Sequence, residues 1–510
     1  MIDATPLLRL YARKRLQQLA RQDPVAAQRA QLHDLLHTAR DTRFGRKHGF
    51  DRIKDVADFQ QRVPLRRYEA FWGDYWQQSF PRVINESWPG LMPFFALTSG
   101  TTSGVTKYIP LSSAMLRANR RAALDVLCHH LQQHPQSKVL GGRNLLLGGA
   151  TALEKLAPGV LAGDLSGIAA ATVPWWARPR VFPPRELAMI ADWGEKIRIV
   201  APRSLTADIR SISGTPSWLL LFFDQLAEHR PGGDSRLVRF YPSLELVVHG
   251  GVDFAPYRRR FQQLLAGSKA ETREVYPASE GFIAVADRGD GEGLRLILDN
   301  GVFFEFVPVE EIDRADPARH WIATVEPGVD YAVILSTCAG LWGYVLGDTV
   351  SFVDRAPPRI LVTGRTDYSL SAFGEHLIGD EIEHAVATAA AAVGADVIDY
   401  VVAASFPSQP GELGRHLFIV EFAGRVAEAP RLEQFAAALD AELARRNADY
   451  RAHRAGGFGM AAPLMESPRP GTFAAWMRRR GQFGGQYKVP RVIRDPDLLR
   501  DLCDFIAQSG

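Results

Sequence analysis

Residues 98–110, TSGTTSGVTKYIP, limit the possible folds more than any other stretch, because they ask the chain to gather many donors around one small volume. An apolar, strand-like run precedes them, with Leu91, Met92, Phe94, Phe95 and Leu97, and Ser112 and Ser113 open a helical pattern after them. Gly100 and Gly104 permit backbone angles that other residues resist, while Ser99, Thr101, Thr102 and Ser103 set hydroxyls beside backbone N–H groups. Lys107 adds a cation. A strand, a hydroxyl-rich glycine turn and a lysine describe a place to hold the phosphates of a nucleotide. Val105 and Thr106 separate the second glycine from the lysine, which excludes the GxxxxGK[ST] loop of kinases and GTPases. For this stretch taken alone, a plain surface loop is the competing reading.

Other stretches carry side chains that nucleotide chemistry can use. The run LELVVHGG, 244–251, reads as a strand ending in the glycines Gly250 and Gly251, which would let a flat ligand approach the main chain or would serve a simple strand-to-helix turn. In VYPASEGFIAV, Tyr276 offers an aromatic face, and after the stop at Pro277 come Ser279 and Glu280, whose carboxylate is a hard ligand suited to Mg²⁺. A core tyrosine and a solvated turn glutamate would explain the same letters. Asp348, in GLWGYVLGD, can accept two hydrogen bonds from the 2′,3′-diol of a ribose. Past residue 359 the character changes to a short apolar strand, a GRTD turn containing Arg365, Thr366 and Asp367, and an alanine-rich helix opening near Asp380.

At 510 residues the chain is long for one core, and at least two domains are expected. Against 57 acidic residues stand 60 basic ones, and a formal charge of +3 gives no bulk field for nucleic acid or an anionic membrane. Cys128, Cys338 and Cys503 are too widely spaced for a zinc pattern or a disulfide framework, which fits a reducing compartment, and no apolar run is long enough for a membrane span. The N-terminus, with Asp3 and interspersed charges, does not read as a signal peptide, so the cytoplasm is expected. His129, His130 and His134 sit at helical spacing without nearby carboxylates in sequence and are expected to be exposed rather than metal-ligating. Helices are expected within residues 6–40 and 432–447, strands at 400–407 and 416–423, and either state for Leu145–Leu147 and Leu219–Phe223.

Six segments, in order, resemble the GH3 acyl acid amido synthetases, a family known chiefly from plant hormone conjugation within the adenylate-forming superfamily of acyl-CoA synthetases and firefly luciferase. They are TSGTTSGVTKYIP, YPASEG at 276–281, FFEFVP at 303–308, GLWGYVLGD at 340–348, NADYRAHR at 447–454 and QYKVPR at 486–491. The resemblance implies an α/β fold, with a large N-terminal adenylate-forming domain of mixed β-sheets and flanking helices over residues 1–366. A smaller, mobile α+β C-terminal domain, 367–510, would pivot at Thr366 and Asp367. The substrates implied are ATP, a carboxylic acid and an amino acid, with Mg²⁺ as cofactor. In that family pattern Ser99, Gly100, Thr101, Thr102 and Lys107 hold phosphates, and Gly250 and Gly251 lie against adenine. Tyr276 stacks on adenine beside Ser279, Glu280 binds Mg²⁺, Asp348 binds ribose and Arg365 reaches ribose or phosphate. Lys488 swings in to contact the acyl carboxylate and the α-phosphate. The implied reaction makes an acyl-AMP and passes the acyl group to an amine. Passage to a thiol such as coenzyme A, or nucleotide binding without turnover, are the other readings. The family's usual form of one motif is near GLYRYRxGD; here Trp342, Gly343 and Val345 stand where Tyr, Arg and Arg are common. That departure leaves nucleotide binding intact and puts any acid-binding role of those arginines in doubt.

Overall fold

The computed structural model describes residues 2–99, 106–148, 153–190, 193–229, 234–251, 254, 257–289, 291–365, 377, 379–405, 413–424, 429–447, 450–451, 454, 460–482, 488–493 and 495–509. They form two compact units, Met1–Val362 and Thr363–Gly510. Thr366 and Asp367, the expected hinge, lie outside the described residues. Among the described residues no helix is long and apolar enough to cross a membrane.

The first unit opens with α1 (Thr5–Ala20), which buries Leu8, Ala12, Arg15 and Leu19 along one face, and α2 (Pro24–Ala39), whose first turn is capped by Asp23 accepting from the Ala26 N–H. Gln28 of α2 is fully buried because its amide donates to the carbonyls of Leu298 and Val302 and accepts from the Phe304 N–H. Next comes an antiparallel hairpin, β1 (Phe94–Ser99) and β2 (Thr106–Leu111), in the register Ser99↔Thr106. Ser112 then caps α3 (Ser113–Gln133) by accepting from the Met115 N–H at 3.0 Å.

A twelve-stranded sheet dominates the unit. Its parallel part is β3 (Arg143–Leu147), β4 (Ile209–Gly214), β5 (Leu246–Gly250) and β6 (Glu271–Ala278). Leu145–Leu147 is thus a strand, whereas Leu219–Phe223 lies in a helix, α4 (Pro216–Ala227), that buries Leu219, Phe222 and Phe223. The antiparallel part comprises β7 (Gly281–Val285), β8 (Leu294–Leu296), β9 (Val302–Pro308), β10 (Asp330–Thr337), β11 (Tyr344–Arg355) and β12 (Pro358–Arg365). Spatially the run is β9, β10, β11, β12, β8, β7, β6, then β5, β4, β3, with the two-residue strands His320–Trp321 and Val181–Phe182 at the ends. The antiparallel region curls: Ile283, Leu294, Leu296, Phe306, Tyr331, Val350, Phe352 and Ile360 share one continuous core.

The second unit is a three-layer lobe. Strands β13 (Val397–Ser405) and β14 (Arg415–Phe422) pair antiparallel, with Leu464–Glu466 and Val492–Ile493 added in parallel at the edges. Helices α5 (Gly379–Val393) and α6 (Ala429–Arg446) cover one face, and α7 (Thr472–Arg479) and α8 (Pro496–Ser509) the other. Within NADYRAHR, Asn447 accepts from the Tyr450 N–H, while Tyr450 and Arg454 both donate to Asp440. That motif is therefore a buckle between α6 and the chain after it.

The expectation for the histidines on α3 is corrected. His129 and His130 are buried, and a carboxylate is at hand, because folding brings Glu271 of β6 against the helix. His130 Nδ1 lies 2.7 Å from Glu271 Oε1 and His134 Nε2 lies 3.0 Å from Oε2. The helical spacing predicted a common face but could not show which strand would meet it. Three donor atoms within 4.8 Å of one another would admit a metal ion, yet Arg273 donates twice to Glu271 Oε1, and its buried guanidinium would oppose a second cation. The cluster is a clamp of α3 onto β6. Burial works to raise the Glu271 carboxyl, but the His130 hydrogen bond and the Arg273 charge prevail and hold it at about 2. A carboxyl depressed on folding stabilises the protein above its unfolded value near 4.5, and that stability is lost as pH falls from there toward 2. Glu271→Gln should therefore cost on the order of 2 kcal/mol at pH 7, and the gap to the parent should narrow below about pH 4.5 and close near pH 2. Urea titrations at both pH values check this, and a gap that persists in acid would contradict it.

Candidate active site

Four strand ends and one hairpin meet at the carboxyl edge of the parallel strands, where open α/β sheets expose their crevices. Gly250 closes β5 beside Val275 of β6, and a Cβ there would lie 2.1 Å from the Val275 carbonyl oxygen, so only glycine permits this approach. Gly251 follows with φ +83°, the left-handed region. One residue beyond Val275 stands Tyr276.

Two hydroxyl-to-carboxylate hydrogen bonds cross from the β6–β7 hairpin to β11. Tyr276 OH donates to Asp348 Oδ2 at 2.5 Å, and Tyr344 OH donates to Glu280 Oε1 at 3.2 Å. β6 and β11 are separated in the sheet by β7, β8 and β12, which in a flat sheet would be roughly 19 Å. Only the curl of the antiparallel strands makes these contacts possible. Tyr344 and Asp348, four residues apart on one strand, face the same way.

Glu280 occupies the tight turn between β6 and β7, a place where carboxylates are usually hydrated, and yet it is only 8% exposed. Tyr344 is buried, and burial together with the Glu280 charge pushes its phenol well above the ordinary range, so it remains a donor at any physiological pH. Glu69 and Tyr68 also act on Tyr344. These two residues meet β2 at the base of the hairpin: Lys107 Nζ lies 3.5 Å from Glu69 Oε1 and 5.4 Å from the Tyr68 ring centre, and Tyr68 OH accepts from the Tyr108 N–H at 2.8 Å. Burial pushes the Tyr68 phenol up to about 12. The hairpin base thus meets Tyr68 and Glu69, whose charges are felt at Tyr344, and Tyr344 and Asp348 carry the two hydrogen bonds from one strand of the same unit.

Gly100, Thr101 and Thr102 lie outside the described residues, as do the side chains of Ser99 and Arg365. Ser279 is half-buried at the same turn as Glu280. Lys488 belongs to the second unit and is exposed there; three residues on, Arg491 pairs with Asp399 and stacks 4.2 Å over the Tyr400 ring, fixing the edge strand that follows. Tyr344, Tyr68 and Glu69 escaped the sequence reading. Parity along β11 could have found Tyr344, which shares a face with Asp348; nothing in the sequence around Tyr68 marks it. A cavity of about 500 Å³ lined by Arg143, Phe182, Arg203 and Asp208 lies at the opposite, amino edge of β3 and β4 and is separate from this cluster.

The departures in GLWGYVLGD have structural reasons. Trp342 is fully buried and its Nε1 donates to the Ser87 carbonyl at 3.0 Å. Gly343 has φ +56°, and a Cβ would lie 2.8 Å from the Pro64 oxygen. Val345 packs with Val307 and Ile334.

The fold is that of the adenylate-forming enzymes. A solved GH3.15 acyl acid amido synthetase superposes with a TM-score of 0.78 at 17% identity, covering 96% of this chain and 94% of that one. A 2-hydroxyisobutyryl-CoA ligase in the postadenylation state, in complex with 2-HIB-AMP, superposes with a TM-score of 0.60 at 15% identity over 94% of this chain and 91% of that one. The chain belongs to the GH3 family: residues 13–171 match the GH3 family N-terminal domain, 295–365 the central domain and 380–497 the C-terminal domain. An indole-3-acetic acid-amido synthetase GH3.8 from Oryza sativa subsp. indica is 30% identical over 293 residues, 54% of this chain and 47% of that protein. The chain spans about half the length of that relative.

Removing the Tyr344 hydroxyl leaves the buried Glu280 carboxylate without this donor. Tyr344→Phe should cost about 1.5–3 kcal/mol of unfolding free energy, read by urea titration of the full chain. A cost below about 0.5 kcal/mol would mean that the bond carries no weight.

Proposed function

We propose that this chain is an ATP-dependent ligase that adenylates a carboxylic acid and transfers the acyl group to the amine of an amino acid. The observation that carries this reading is the pair of crossing hydrogen bonds, Tyr276 to Asp348 and Tyr344 to Glu280, at the strand ends beside the Lys107 hairpin. In this reading Gly250 and Gly251 give adenine its approach to the main chain. The Tyr276 ring stacks on it, and the hydroxyl of that tyrosine orients Asp348 toward the ribose diol. Residues 99–107 cradle the β- and γ-phosphates, and Arg365 reaches ribose or phosphate.

Glu280 suits Mg²⁺: it is a hard oxygen donor, largely shielded from solvent and oriented by Tyr344. When bound there, the ion would offset charge on the phosphate oxygens. The acid's carboxylate oxygen attacks the α-phosphorus of ATP, and the bond to pyrophosphate breaks. The amine nitrogen then attacks the acyl carbon, AMP leaves, and the nitrogen loses a proton. Lys488, on a second unit that pivots near Thr366 and Asp367, would place its ammonium against the α-phosphate oxygens during the first step and withdraw for the second.

Acid-dependent exchange of pyrophosphate into ATP isolates the first step. Lys488→Ala should lower it by about 100-fold or more, and undiminished exchange would remove Lys488 from the mechanism. Mass spectrometry of products formed from a panel of carboxylic acids, offered an amino acid mixture or coenzyme A, tests the acceptor. Amide conjugates are expected, and thioesters alone would overturn the reading.

A further inference from the structure

Seven of the thirteen large apolar side chains exposed among the described residues fall in three neighbouring places: the N-terminus with α1, α3, and the span after the helix Leu165–Ala171. Ile2 is 88% exposed, Leu7 72% and Leu10 64%, while Trp175 and Trp176 are 78% and 64% exposed. Tyr11 and Leu124 complete the set. Single exposed leucines are ordinary, but adjacent exposed tryptophans are not.

Hydrogen bonds hold these places together. Arg180 Nη2 donates to the Ile2 carbonyl at 2.7 Å, and Arg120 on α3 donates to the carbonyl of Thr172. The Trp-Trp span is therefore tied at one end to the N-terminus and at the other to α3. α1 lies along α3, where Arg15 forms a buried pair with Asp125. Leu124 follows Arg120 by one helical turn, and Tyr11 feels the charges of Asp125 and Arg121. The apolar side chains thus surround a single corner of the first unit.

Its charge is one-sided. α1 has no acidic residue, the stretch 165–185 has none, and the single acid of α3, Asp125, is sequestered by Arg15. Asp3, whose carboxylate accepts from the N–H and hydroxyl of Thr5, and Glu186, exposed just past Arg185, are acids at its margin. Arg13, Lys14, Arg117, Arg120 and Arg178 are exposed here. Protruding tryptophans and leucines among arginines, with acids only at the margin, match the headgroup region of an anionic bilayer, where indoles sit at the interface and cationic heads reach phosphates.

We propose that this corner is a peripheral docking surface for anionic lipid bilayers, seated by Trp175 and Trp176 and steered by the surrounding arginines. Co-sedimentation of the full chain with phosphatidylcholine vesicles, with and without phosphatidylglycerol, tests it. At low salt the chain should partition at least tenfold more onto the anionic vesicles, and added salt should release it. Trp175→Ser combined with Trp176→Ser should abolish partitioning, and Arg178→Gln should weaken it about fivefold. Bromine-substituted acyl chains should quench the parent's tryptophan emission, a readout that needs no variant. Equal partitioning onto both vesicle types, no quenching, or an unchanged double variant would overturn the proposal. So would light scattering that finds a dimer which the double variant splits, since the face would then belong to a second copy.

Discussion

The curl of the antiparallel strands is the constraint on which the site depends. A tyrosine and an aspartate three intervening strands apart cannot touch across a flat sheet, yet Tyr276 and Asp348 are hydrogen-bonded. Two β-turns and a strand end thereby become one surface. The same curl buries Glu280 in a turn, where an unpartnered carboxylate would be costly, and Tyr344 supplies a donor that burial keeps protonated. The site is thus preorganised by the core beneath it, since Tyr276 and Tyr344 belong to the same cluster as Phe303, Phe306 and Phe352.

Much of this was legible in sequence, for definable reasons. Strand-then-glycine at residues 244–251 and the strand, glycine loop and lysine around 98–107 are local patterns, and β5 and β1 fall where those patterns put them, whereas the strand β2 that carries Lys107 was not foreseen. What stayed hidden was long-range. The histidines of α3 read as solvated because their carboxylate, Glu271, is more than a hundred residues away in sequence and arrives only with β6. Periodicity says which residues share a helix face and nothing about what that face meets. Tyr68 and Glu69 lie before the motif-bearing stretches, in a short helical turn without composition bias, and matter only because Lys107 and Tyr344 fold onto them. Leu219–Phe223 was ambiguous because five apolar residues fit a buried strand and a buried helix equally well.

The altered motif at 340–348 shows how a family can vary a segment without dismantling its frame. Gly343 needs a left-handed backbone and leaves no room for a Cβ beside Pro64, and Trp342 is anchored through Ser87, so two positions that often carry Tyr and Arg are here committed to packing. Tyr344 and Asp348, which make the crossing bonds, are retained on the same face of β11. Positions facing the other way are free to change with the core they contact, as Val345 does against Val307 and Ile334. The alternation of a strand separates what holds the cluster from what fills the protein behind it.

Charge follows a similar division between sum and arrangement. A net charge of +3 over 510 residues describes an almost neutral molecule and, read alone, argues against any attraction to anionic surfaces. The fold redistributes it. Acids are drawn inward to pair with buried arginines, as Asp125 and Asp299 do with Arg15 and Asp287 does with Arg359. A one-to-one pair removes one charge of each sign, but the Arg15 triad holds two acids against one arginine, so beside it the outward-facing arginines of α1 and α3 are left with fewer acids to offset them. Because screening limits the reach of a charge to about 10 Å, what an approaching surface senses is that corner and not the total.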